Sequence, residues 1–87
     1  MLGLDEVRDF VKKTLCSRDN LEVGAFAISE TPVHRGSAVC GVYFCLHGPR
    51  LLRLTAIWDR ETGVVLCYGP RGERFLTARL NNPATAA

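Results

Sequence analysis

No run in this 87-residue chain approaches the ~20 continuous apolar residues of a membrane-spanning helix. The opening residues, Met1-Leu2-Gly3-Leu4-Asp5-Glu6, are acidic and lack the basic start of a secretory signal. Histidine is scarce, with only two, and the four cysteines form no Cys-x-x-Cys pair, so no metal-ligand spacing is present. The glycine-rich piece Gly69-Pro70-Arg71-Gly72-Glu73-Arg74 lacks the Gly-Lys-Ser/Thr ending of a phosphate loop. Net charge is only +2, too small to imply nucleic acid or an anionic membrane by itself. Eighty-seven residues leave no room for a barrel enzyme or a dinucleotide-binding fold, and one domain is expected.

Apolar residues, by contrast, are plentiful. The chain is 47% hydrophobic, which together with its low net charge excludes a disordered segment. Charge is unevenly spread. Residues 1–43 carry five basic side chains against six acids, while 44–87 carry six arginines and no lysine against three acids. Arginine suits bidentate recognition of carboxylate or phosphate better than lysine does. Cys16, Cys40, Cys45 and Cys67 sit inside apolar runs, as small buried hydrophobes do. That placement predicts free thiols in a reducing, cytoplasmic compartment.

Periodicity organises the chain. Leu4, Val7, Val11 and Leu15 recur at helical spacing and predict an amphipathic helix over 4–16, with Asp5 and Glu6 in its first turn. Beyond it the period becomes two. Strands are predicted at 21–29, 38–47, 51–59 and 63–68, with a loop over 30–37 containing Pro32 and Gly36. In the third of these, Leu52, Leu54, Ala56 and Trp58 share a face. The segment 73–80 would suit a helix by composition. An internal repeat decides for a strand, because Gly48-Pro49-Arg50 and Gly69-Pro70-Arg71 both begin the pattern Gly-Pro-Arg-x-x-Arg-apolar after a strand-like run. The expected fold is therefore α+β, an N-terminal helix packed on a curled four- to five-stranded antiparallel meander sheet. It forms one domain over 1–80, followed by a flexible tail over 81–87. This layout of a helix and short, glycine-interrupted strands is similar to that of Sm-like RNA-binding barrels, whose motifs are missing. The open sheets of cystatin-like domains fit as well.

Two surfaces follow. In a meander, alternate turns emerge at one end, so both Gly-Pro-Arg turns gather Arg50, Arg53, Arg71 and Arg74 there, two strand spacings or roughly 10 Å apart. Such a rim suits an anion, since fork-shaped guanidinium groups complement phosphate and carboxylate oxygens. Second, 38–46 has apolar residues on both faces and no charge. A sheet covered by one helix should have one wet face. Either the sheet curls over this strand or a partner covers it, with Val39, Val42, Tyr43 and Phe44 as candidate interface residues. Chemistry is thinly represented: Cys45 and His47 share a strand face with no third ligand nearby in sequence, and no nucleophile–base pair is linked by spacing. The expected function is a small non-enzymatic interaction module, self-associating or binding another protein. Anion or nucleic-acid binding at the basic end is the alternative. No catalytic residue, metal or cofactor is expected, and no membrane partner.

Overall fold

The structure, a computed structural model, describes residues 3–80. A helix α1 (Leu4–Arg18) is followed by strands β1 (Ile28–Arg35), β2 (Ala38–His47), β3 (Arg53–Asp59), β4 (Val64–Tyr68) and β5 (Arg74–Arg79). All neighbours are antiparallel, and the order β1-β2-β3-β4-β5 is a simple meander. The α+β expectation holds, as an open five-stranded sheet with one helix on it. Its two edge strands distinguish it from the closed barrel of the Sm-like layout. The expected tail over 81–87 lies outside the described residues.

Local chemistry explains the helix. Glu6 Oε2 accepts the Gly3 backbone N–H at 2.7 Å, satisfying one of the donors that every helix start leaves without a partner. Val7, Val11 and Leu15, four residues apart, form the stripe that is fully buried against the sheet. The helix runs two residues past the predicted 16. It closes where Asn20 turns left-handed at φ 56° and the Leu21 N–H returns to the Cys16 carbonyl at 2.8 Å.

The sheet's faces follow from register. Leu46 lies beside Leu54, Phe44 beside Ala56 and Val42 beside Trp58; Ala56 then neighbours Cys67, and Trp58 neighbours Val65. These side chains form the layer under α1, and Phe44, Leu46, Leu54, Ala56, Val65 and Cys67 are essentially inaccessible. Gly41 is needed where β2 crosses β3, because a Cβ there would overlap the Trp58 carbonyl oxygen.

The first strand differs from expectation. Residues 21–27 form turns, and the predicted loop over 30–37 is mostly β1. Leu21 and Phe26 are apolar because they pin that connection to the core. Pro32 is tolerated because β1 is an edge strand, where a missing N–H need break no ladder bond. The hairpin then turns through Gly36 and Ser37, with Gly36 at φ 63°. The remaining strands match the prediction within two residues, and 74–79 is a strand.

Candidate functional site

Alternation along the strands decides what the uncovered side of the sheet displays. Tyr43, Ile57 and Leu66 occupy one row across β2, β3 and β4, with Thr31 and Thr77 extending it onto the edge strands. The next row runs Ser29, Cys45, Thr55 and Tyr68. Tyr43 and Ile57 are each 37% exposed. The central strands present no charge in these two rows. Charge appears only towards the ends, at Arg53 and Asp59 of β3, Arg79 of β5 and, beside Tyr68, Arg74.

This geometry divides the predicted interface residues. Tyr43 lies on the open face and Val39, near the end of β2, is exposed. Val42 at 7% and Phe44 at 1% exposure are core beneath α1, so they are corrected from interface to interior. One face of the strand feeds the core; on the other Tyr43 is exposed while Cys45 is only 9% exposed. Ile57, Leu66 and Tyr68 belong to the open face and were missed by reading β2 alone. Their even spacing against the buried Ala56, Val65 and Cys67 was the available signal.

The basic end is assembled as expected. The 48–52 and 69–73 connections leave the same end of the meander. Arg53 stands beside His47, Arg74 beside Tyr68, and Arg50 and Arg71 lie within the two turns. All four arginines are exposed, and none forms an ion pair among the described residues. The local acid is engaged elsewhere. Glu73 accepts from Arg18 at 3.0 Å and from the Arg71 backbone N–H at 2.9 Å. Its carboxyl is held below the usual range, first by its own backbone N–H, then by those two partners. Arg18 also pairs with Asp19 and stacks over the Phe75 ring, 5.5 Å from its centre. That arginine tethers the helix end to the β4–β5 turn, a link across 55 residues with no local sequence signal.

One further surface has no counterpart in the sequence reading. A single helix, about 10 Å across, cannot cover five strands spanning roughly 24 Å. An open groove of about 800 Å³ therefore separates α1 from β5, floored by Phe10, Phe75, Leu76 and Ala78. Glu6, Asp9, Lys13 and Arg18 border it with both signs of charge.

Catalytic and metal groupings are weak in this geometry. Ser29 Oγ lies 3.2 Å from His47 Nε2, a nucleophile–base spacing, but both side chains are exposed on the open face. Exposure to solvent leaves such a pair without the water-excluding environment that strengthens catalytic electrostatics. Cys45 and His47 share the open face while Cys67 is under the helix, so the sheet separates the three. No group of three or more His, Cys, Asp or Glu side chains positioned for a metal occurs among the described residues. Burial pushes the Cys67 thiol up to about 11 and raises that of Cys16, which disfavours both as thiolate ligands or nucleophiles.

Comparison with protein-family models, curated proteins and solved structures finds no match to this chain.

Proposed function

We propose that this protein is a non-enzymatic interaction module that self-associates by packing the open faces of two sheets together. The observation that carries the reading is the uncharged double row over β2, β3 and β4, containing Tyr43, Ile57, Leu66 and Tyr68. A solvated antiparallel face ordinarily alternates polar side chains outward, whereas this one places aromatic and aliphatic groups there. Dimensions support a second copy as the occupant. Five strands by six residues give a footprint of roughly 24 by 20 Å, or roughly 500 Å² before side-chain relief is counted. Side-chain relief raises this towards the ~800 Å² per partner of an ordinary stable interface. The four free thiols agree with a reducing, cytoplasmic setting.

Sedimentation across a concentration series tests the reading, with Ile57→Glu as the variant. Ile57 is 37% exposed in one copy, so a carboxylate there reaches solvent, while a pair would bury two carboxylates at its centre; an unchanged melting temperature of the variant separates lost pairing from misfolding. The expected result is a concentration-dependent dimer that Ile57→Glu abolishes. A wild-type chain that stays monomeric, or a variant that dimerises unchanged, refutes it.

A second reading, anion binding at the basic end, is favoured by the four arginines free of ion pairs among the described residues. Retention on a phosphate-bearing matrix, lost in Arg71→Ala/Arg74→Ala, tests it.

A further inference from the structure

The basic end carries a feature that an anion site alone does not need. Leu51, between Arg50 and Arg53, is 91% exposed, far beyond any other large apolar side chain among the described residues. It sits at the tip of a tight turn closed by the Leu52 N–H to the Pro49 carbonyl at 3.0 Å. Both central residues are left-handed, Arg50 at φ 56° and Leu51 at φ 62°. Hairpin turns of this kind favour Asn-Gly, because side chains at positive φ are strained. Here the turn holds an arginine and a leucine instead, and the leucine gains no packing in return. Strain of this sort, kept without local packing, motivates a role for Leu51 in contact with something outside the fold.

The surroundings indicate what that is. The neighbouring turn leaves the same end of the sheet, roughly 10 Å away by two strand spacings, and contributes Arg71, with Arg74 just behind it. Glu73 is held by Arg18 and the Arg71 backbone, so it leaves the arginine side chains uncompensated. The end is thus a cationic rim with one aliphatic side chain projecting from it. A polynucleotide would satisfy the arginines but take up Leu51 only between unstacked bases, at a cost in stacking. A lipid surface with anionic headgroups satisfies both, placing guanidinium groups on phosphates and an aliphatic tip in the acyl boundary.

We propose that this end of the sheet docks on an anionic lipid surface, with Leu51 inserted and Arg50, Arg53, Arg71 and Arg74 on lipid phosphates. The sequence alone predicts no membrane partner; the exposure of Leu51 is what changes that. The proposal rests on the anion-binding reading of this end and shares Arg53 with the self-associating face. The contact proposed is a peripheral one; no helix among the described residues is long and apolar enough to cross a membrane.

Co-sedimentation with vesicles of phosphatidylcholine, with and without phosphatidylserine, tests it. Binding is expected only to the phosphatidylserine vesicles. Leu51→Gly should weaken it about tenfold or more while raising thermal stability, since glycine accepts the left-handed backbone. A loss of binding by a more stable protein is not a folding defect. Arg71→Ala/Arg74→Ala should weaken it roughly 30-fold at low salt. Absence of vesicle binding, equal binding to both vesicle types, or indifference to Leu51→Gly overturns the proposal. If single-stranded RNA or inorganic polyphosphate binds while vesicles do not, the lipid assignment falls and the anion reading stands. Binding to none of these overturns both.

Discussion

Exchanging the charges of Arg53 and Asp59 tests both that two copies pair and how they are oriented. Both residues lie on β3 and on the open face, six positions or roughly 20 Å apart. A two-fold axis running across the strands lays β3 of one copy antiparallel over β3 of the other. Arg53 then meets the partner's Asp59, twice per dimer. An axis along the strands would instead stack arginine on arginine and aspartate on aspartate, so the charge pattern selects the first arrangement. Packed sheets align within about 30°, which displaces these ends by roughly 5 Å over a 10 Å arm, within reach of an arginine side chain. Each rim pair contributes only about 0.2–1 kcal/mol. Asp59→Arg replaces two attractions by two repulsions, weakening the dimer by about 1–3 kcal/mol, or roughly 5- to 150-fold. Arg53→Asp should do the same. The double variant restores the pairs in reverse and should return close to wild-type affinity. Sedimentation velocity over a concentration series reads all four proteins, with high salt shrinking the differences. A double variant no better than either single, or singles that dimerise like wild type, would sink the antiparallel arrangement even if a dimer exists.

Other consequences are more local. Gly41→Ala forces a Cβ against the Trp58 carbonyl, so urea titration should show a loss of about 1–3 kcal/mol; unchanged stability would mean that β2 and β3 separate freely there. Because the Glu73 carboxyl is held below its ordinary 4.5, its contribution is complete above that value and is lost as pH falls through the lower folded value. Thermal melts of Glu73→Gln should therefore lose part of the acid-side decline, and an identical pH profile would show that the link to Arg18 has no energetic weight. Alkylation near neutral pH should reach half-exposed Cys40 first and leave Cys67, with its thiol near 11, untouched until unfolding; early labelling of Cys67 would contradict its burial under α1.

Most of the sheet was legible because period-two alternation is a local property. In 53–59 the inward set Leu54, Ala56 and Trp58 reads directly, and register carries it to Val42, Phe44 and Leu46 on the neighbouring strand. The Gly-Pro-Arg repeat was equally informative, since two like turns in a meander must leave the same end, making 74–79 a strand. What failed was β1. Seven of its eight residues are exposed, so no buried stripe marks it, and Pro32 looks like a loop residue until the strand is known to be an edge. Its pairing to β2 comes from the partner's backbone and the tight turn at Gly36, neither of which is written in residues 28–35. The link from Arg18 to Glu73 was invisible for a similar reason: it exists only once the helix lies back across the sheet.

The division of β2 into a core face and an open face explains why Val39 and Tyr43 are exposed while Val42 and Phe44 are buried. Alternation specifies which residues share a side, but not which side is covered. That is decided by the one helix available, whose apolar stripe of Val7, Val11 and Leu15 is long enough for a single face. With the helix spent on Val42, Phe44 and Leu46, Tyr43 and Ile57 stay exposed on the opposite rows and Leu66 and Tyr68 are only partly covered. A layout of one helix on an open sheet therefore has its unbalanced hydrophobicity in one place. The same count of elements leaves the basic end unblocked, since α1 brings Arg18 to Glu73 but places no acid against Arg50, Arg53, Arg71 or Arg74. Both proposed contacts are thus consequences of a fold with five strands and a single helix, and they adjoin at Arg53 and Arg74, where the open face meets the basic end.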